Sequence, residues 1–364
     1  MKEWLASRLV NAFLVLITLA VGFLFFELVV FRFVLLPSDV PSNAFVNDLV
    51  RYAPNQSGTW RVRDEIAAPY FINAQGWNSG IGDYVVERRP AVRRIAIVGD
   101  SMVEAMQVAY DHSMAERLSK EMGSRGVSVE VYRFGISGAP LTQYLWMVER
   151  EVLAYRPDAI VVLLIHNDFD ESFRFVQGRY TSSFAKLRVS DGKVLGEIPP
   201  TPWEPTAADW IRRSASARYM YYRWQVRLEP IRELLLGPAA AQSAKYEANI
   251  DVRSALGRLR DIEAATDHVF GRLAEMGRRT GVRLLIAIDG VRFAIYQGER
   301  SEVLLLNRLA GELALKHGLT FLDLRSAFGA DWAANHKRFE FQSDGHWNEH
   351  GHAVAARAVA EGLK

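Results

Sequence analysis

Beyond Pro90 the sequence repeats one pattern. Short apolar runs at 95–98, 127–134, 159–165, 284–288 and 319–322 are separated by stretches of helical periodicity, for example 114–122 and a long one from about 251 to 280. Runs this short and nearly continuous in apolar residues predict strands covered on both faces. Their alternation with helices predicts an α/β fold built on a mostly parallel five-stranded sheet with crossover helices. In such sheets, sites gather beyond the carboxyl ends of the strands, so chemistry is sought in the residues that follow each run.

The amino terminus obeys a different rule. Residues 10–26 read VNAFLVLITLAVGFLFF without a charge, and apart from Glu27 and Arg32 the chain stays apolar to Leu36. About 20 apolar residues suffice to cross a bilayer core of roughly 30 Å. The run is long for the apolar part of a signal peptide and lacks a clear small-x-small cleavage site, so a retained anchor is expected over a cleaved signal or a buried core helix. Lys2, Arg8 and the amino terminus precede it, whereas Arg32 alone marks its far end. That asymmetry places the amino terminus in the cytoplasm and the rest outside. The expected localisation is the cell membrane, single-pass, with an extracytoplasmic catalytic domain that is periplasmic where the cell has an outer membrane. Glu27 is expected to reach the interface at the outer end of the span.

The expected organisation is therefore residues 1–36 as cytoplasmic end and anchor, 37–90 as an irregular or β-rich lead-in, and 91–364 as the catalytic domain. The lead-in is rich in Pro, Asn, Gly and aromatics and is expected to pack on that domain. Between about 170 and 249 the pattern breaks into a polar, aromatic segment with the run RYMYYRWQVR from Arg218 to Arg227, read as an insertion or cap. The aromatic run fits an interfacial helix, a sugar platform or plain packing.

Composition removes several chemistries. With no cysteine in 364 residues there is no thiolate nucleophile, disulfide or thiolate zinc site. A net charge of +2 leaves no basic stripe for nucleic acid. What stands at the strand ends is serine chemistry. The first run ends in Gly99-Asp100-Ser101, which puts a hydroxyl at a strand-to-helix turn. The second ends in Ile136-Ser137-Gly138 and the third in His166-Asn167-Asp168. The Ser101 N–H, the Gly138 N–H and the Asn167 amide make a candidate oxyanion hole. A serine needs a base, and the base needs an acid partner. Asp344 and His346 stand two apart in an extended loop near the carboxyl terminus and can face the same side. Asp344, His346, His350 and His352 also compose a rival metal-ligand set. The serine constellation explains more of the sequence and works without a metal, so no metal and no cofactor are expected.

These four blocks, in this order, resemble the SGNH/GDSL hydrolase superfamily over roughly residues 91–364. The resemblance implies a three-layer, flavodoxin-like α/β/α fold, Ser101 as nucleophile, and Gly138 and Asn167 as oxyanion residues. It also implies His346 as base and Asp344 as its acid partner. Two departures stand out: HND where the family usually has GND, and D-x-H at Asp344 and His346 where it usually has D-x-x-H. D-x-H followed by Trp347 is similar to membrane-associated members and to alginate-acetylation-type proteins, in which the element precedes the serine instead of following it. The segment from Ile72 to Gly76 looks like an INxxG element that often precedes GDS in anchored members. The resemblance implies an esterase acting on O-acyl groups, on cell-surface or secreted polysaccharide given the topology, with exopolysaccharide-assembly proteins as partners. A polysaccharide O-acetyltransferase using the same triad and a catalytically silent glycan-binding envelope component are the alternatives.

Overall fold

The computed structural model describes residues 2–175, 183–205, 207–226, 246–247, 250–298 and 300–364. It divides into two compact units. One comprises Met1–Val40, Thr59–Ala67 and Glu204–Pro238; the other comprises Pro41–Gly58, Ala68–Trp203 and Ala239–Lys364.

In the smaller unit, helix α1 (Lys2–Phe25) continues as a π-helix over Phe26–Val34. Its stretch Ala6–Val34 is the one helix among the described residues long and apolar enough to cross a membrane, and none of its most apolar window is buried against the rest of the chain.

The larger unit contains a five-stranded sheet of β1 (Arg93–Gly99), β2 (Val129–Gly135), β3 (Ala159–Leu164), β4 (Arg283–Ile288) and β5 (Thr320–Asp323). All neighbouring pairs are parallel and the strand order is 5-4-3-1-2. Read from the other edge this is 2-1-3-4-5, the flavodoxin-like order whose switch point lies between β1 and β3. The five predicted strands are all present, each within two residues of the expected ends.

Period-two alternation sorts the strand residues into two cores. Ala96 and Val98 face one, with α4 (Leu141–Arg150), α6 (Leu259–Thr280) and α7 (Leu304–Lys316). Ile95 and Ile97 face the other, with α3 (Met114–Ser124), the helix Arg325–Asn335 and α8 (Glu349–Gly362). The result is a three-layer α/β/α fold. The long helical stretch from 251 is broken: Val252–Gly257 ends at Arg258 before α6 begins. The last helix starts at Glu349, earlier than its apolar pattern indicates, because the Asn348 side chain accepts the His350 and Gly351 N–H groups.

The lead-in is β-rich and carries a close turn. Asn73 Oδ1 accepts from the N–H groups of Gln75 (3.1 Å) and Trp77 (2.9 Å), and Gly76 sits at φ +86°. A Cβ there would fall 2.3 Å from the Tyr52 carbonyl oxygen, so only glycine fits. The turn seats the fully buried Trp77 edge-on against Phe134 at the end of β2. The INxxG element is thereby built into the larger unit. The 170–249 segment does not behave as one insertion. Its hairpin Lys186–Ser190/Lys193–Ile198 lies along α6, where Gly192 N–H donates to Asp261 and Glu197 meets His268 and Arg272, while Glu204–Pro238 belong to the smaller unit. Of the aromatic run, Arg227 lies outside the described residues.

Candidate active site

Register brings the three predicted loops together. Gly99 pairs with Gly135 and Val98 with Val162, so the chain leaves β1, β2 and β3 at neighbouring points of one sheet edge. After β1, Asp100 leaves regular geometry (φ −92°, ψ −139°) and its carboxylate accepts the Met102 N–H at 2.9 Å. That starts α2 (Ser101–Glu104), a single turn ended by Ala105 in the left-handed region. The predicted helix after Ser101 is thus one turn long, and Ser101 is its first residue. A Cβ on Gly135 would lie 2.2 Å from the Glu104 backbone nitrogen, so the glycine that ends β2 allows the two loops to touch.

Asp344 and His346 form the expected pair. Asp344 Oδ1 accepts the His346 backbone N–H at 2.9 Å and is hydrogen-bonded to Nδ1 of the same ring. This local turn, in which a carboxylate bonds the backbone two residues on, explains how D-x-H pairs with one residue fewer than D-x-x-H. Nδ1 is occupied, which leaves Nε2 for substrate chemistry, and 28% of the imidazole side chain remains exposed. Burial pulls the His346 pKa down, but the Asp344 charge and hydrogen bond, with Asp100 and Glu104 behind them, outweigh it and hold it above 6.5. Burial raises Asp344, and the His346 charge with hydrogen bonds from His346 and Gln107 outweighs that, leaving the carboxyl below its usual range.

The loop carrying this pair is fastened to the end of β4. Trp347 is fully buried and its Nε1 donates to Asp289 Oδ1 at 3.1 Å, and Arg292 donates to the Gly345 carbonyl at 2.8 Å. The tryptophan of the D-x-H-W block is an anchor for the loop. A cleft of about 190 Å³ adjoins it, lined by His166, Asp289, Arg292, Phe293, Tyr296 and Gly345 among others. A larger groove of about 530 Å³ beside the hairpin and α6 holds Asp267 and Lys316, which are already paired with each other, and none of the predicted site residues.

Some predicted contacts are not made. Ser101 Oγ donates to Asp100 Oδ2 at 3.4 Å, and among the described residues it makes no bond to His346. The Asn167 side chain, at the start of α5 (Asn167–Glu171), bonds to Glu171. Gly138 takes φ +75°. His350 bonds Asp331 at 2.5 Å, and the buried His352 accepts the Met114 N–H, its pKa pushed down to about 3 by burial. Those two histidines are committed away from His346.

His166, which stands where a GND pattern would have glycine, is buried. Its Nε2 meets Asn307 at 2.8 Å, and burial pushes its pKa down to about 4, so the ring is neutral. Asn307 in turn donates to the Asp289 carbonyl and to Asp323, joining the ends of β3, β4 and β5. Asp168 braces the same loop by accepting from the Ile165 N–H and the Tyr144 hydroxyl.

Sequence reasoning missed Gln107 and Glu104. Gln107 carries no signal in the sequence. Glu104 stands three residues after Ser101, a helical spacing that points to the same face. Its carboxylate accepts the Ser137 N–H at 3.0 Å and the Tyr52 hydroxyl, which ties the GDS turn to the loop that carries Gly138. Burial lifts it to about 7 against Tyr52 and Ser137, which pull it down. The ordinary value is 4.5. The folded chain therefore holds a proton that the unfolded chain releases, and stability falls as pH rises from about 4.5 through 7. Glu104→Gln keeps an acceptor without the charge, so relative to wild type it should gain up to about 3 kcal/mol between mildly acidic and mildly alkaline pH. Thermal unfolding followed across that range reads the gain; a difference that stays constant with pH contradicts it.

No family model matches the chain, and no curated protein does. Solved structures do. A two-domain esterase active on acetylated mannans, co-crystallised with mannopentaose, is 12% identical with a TM-score of 0.40, the match covering 75% of this chain and 49% of that one. The chain thus spans about half the length of that protein. The lipase/acylhydrolase from Enterococcus faecalis is 14% identical (TM-score 0.38, 74% of this chain and 95% of that one). Axe2, an acetylxylan esterase from Geobacillus stearothermophilus solved as its D191A mutant, is 12% identical (TM-score 0.40, 74% and 94%).

Proposed function

We propose that the protein is a membrane-anchored serine esterase of the SGNH/GDSL type that removes O-acyl groups, with acylated cell-surface or secreted polysaccharide as its substrate. The observation that carries this reading is the Asp344–His346 pair, held on a loop fastened to the end of β4. Residues 1–36 anchor the chain, with the amino terminus in the cytoplasm.

His346 Nε2 takes the Ser101 proton as Oγ attacks the ester carbonyl carbon. The negative charge that develops on the carbonyl oxygen is met by the Ser101 and Gly138 N–H groups and the Asn167 amide, each donor being worth about 3 kcal/mol. The C–O bond to the alcohol breaks as His346 returns the proton to the leaving oxygen. Water then attacks the acyl-serine, giving its proton to His346, and the carboxylic acid leaves with Ser101 restored. Asp344 keeps Nδ1 protonated throughout and offsets the imidazolium charge.

The full chain in detergent should release acetate from p-nitrophenyl acetate and from acetylated xylan with no acceptor present. Acetyl transfer seen only when a glycan acceptor is added would replace the esterase with the acetyltransferase. Neither reaction in a folded protein would overturn the enzyme reading.

A further inference from the structure

Glu27 lies inside the apolar stretch that would cross the bilayer, yet it is only 9% exposed. Its carboxylate accepts four hydrogen bonds: from Ser214 Oγ (3.0 Å), from the Ala215 N–H, and from the Ser216 N–H (3.0 Å) and Oγ (2.7 Å). These donors open the short helix Ala215–Arg218, which runs directly into a π-helix over Tyr219–Arg223. One turn further along the span, Phe31 meets the Tyr219 ring at 5.5 Å between centroids. The segment is therefore keyed to the last third of the apolar helix by a polar clamp and an aromatic contact.

Length fixes the depth at which this happens. The apolar stretch has 29 residues, about 43 Å at 1.5 Å per residue. That exceeds a hydrocarbon core of about 30 Å and matches the roughly 40–45 Å bilayer with its headgroup layers. With the stretch spanning the bilayer edge to edge, each headgroup layer of about 5–7 Å holds about four or five of its residues, so Phe31 falls in the outer headgroup layer and Glu27 at the outer border of the hydrocarbon core, and what is bonded to them lies at those depths.

The segment's surface suits that layer. Trp210, Ile211, Tyr221 and Trp224 are each more than half exposed, which is costly in water for rings of this size. Trp and Tyr concentrate at membrane interfaces because they join an apolar body to a polar edge. The Arg213 guanidinium stacks on the Trp210 ring at 3.8 Å, and among the described residues it has no ion pair. A stacked arginine at headgroup level has a lipid phosphate as its natural partner. A water-facing loop would carry its polar side chains outward, whereas this one turns two serines onto Glu27 and exposes Trp210, Tyr221 and Trp224.

We propose that residues 210–226 form an interfacial foot, embedded in the outer headgroup layer beside the spanning helix and keyed to it by Glu27. This rests on the reading of residues 6–34 as a membrane span. The foot absorbs the one acidic residue of the span.

The absence of cysteine makes the test direct. Single cysteines are placed in the full chain at Ile211, Tyr221 and Trp224, with Leu16 as the span control and Leu195, an exposed leucine of the larger unit, as the water control. Each is labelled with an environment-sensitive nitrobenzoxadiazole dye and reconstituted into phosphatidylethanolamine–phosphatidylglycerol vesicles. The three foot positions should give blue-shifted emission quenched by lipids with a doxyl group near the headgroup, and Leu16 should be quenched by a deep doxyl group. Foot labels that emit and resist quenching like Leu195 overturn the foot; if Leu16 still reports lipid, the anchor survives. Loss of the Leu16 signal instead overturns the anchor and the foot with it. Glu27→Ala should move the Trp224 label towards water with Leu16 unchanged, and an unmoved label overturns the keying.

Discussion

Ser101→Ala is expected to reduce ester hydrolysis by the full chain on the order of 10⁶-fold, His346→Ala by a similar factor, and the double variant by no more than either alone. The reason is that the two groups perform one act. Without Ser101 there is no oxygen to acylate, and without His346 the hydroxyl keeps its proton and is a weak nucleophile. The residual rate would come from donors that polarise the carbonyl without forming a bond to it. Release of p-nitrophenol by the three variants, each checked by circular dichroism, reads the effect. A folded Ser101→Ala protein that keeps more than about one part in 10³ of the wild-type rate would remove Ser101 as nucleophile, since binding and the oxyanion donors alone leave only about one part in 10⁶ of it. Ser101 Oγ is bonded to Asp100 Oδ2 at 3.4 Å, so attack on an ester requires the hydroxyl to turn from Asp100 towards His346.

The sheet was legible because each strand is buried on both faces and therefore reads as an uninterrupted apolar run. The register of β1 with β2 and β3 then brought the GDS, ISG and HND loops to one edge, as expected of a parallel sheet. Asp344 was legible as a partner for His346 by residue type and by a two-residue spacing that lets both face one side. The turn that makes a two-residue spacing work depends on the carboxylate bending back to the His346 N–H, which neither hydrophobic periodicity nor the D-x-x-H pattern conveys.

Other features are long-range and leave little trace in sequence. Glu104 serves the site through Tyr52, more than 50 residues earlier, and through Ser137. Trp347 looks like part of a catalytic motif and is a buried anchor on Asp289. His166 looks like a departure from the oxyanion motif and is a neutral brace to Asn307. The aromatic run near Tyr219 was open between packing, sugar binding and an interface. Its exposed rings, and its bonds to an acidic residue in the apolar helix, could be seen only once residues almost 190 apart were placed together.

The Asp344–His346 pair makes the second strong expectation. Asp344→Asn should lower kcat/KM by about 10⁴-fold, the scale seen when a triad acid loses its charge but keeps its shape. Asparagine can turn its amide N–H towards His346 Nδ1, which forces the ring proton onto Nε2 and leaves no lone pair to accept from Ser101. The pH profile separates this from a structural loss. In the wild type the Asp344 charge, with Asp100 and Glu104 adding to it, outweighs burial and lifts His346 above 6.5. The base form is the deprotonated one, so kcat/KM should rise with pH through a midpoint above that value. Removing the charge withdraws the main force holding the proton on the ring, and the acid limb should move to lower pH while the plateau falls. A plateau that falls with the midpoint unmoved would mean that Asp344 shapes the loop through the His346 N–H without acting on the imidazole. Gln107, which donates to Asp344, supplies the contrast: Gln107→Ala leaves the carboxylate charged and less satisfied, so the acid limb should keep its position or shift slightly upward.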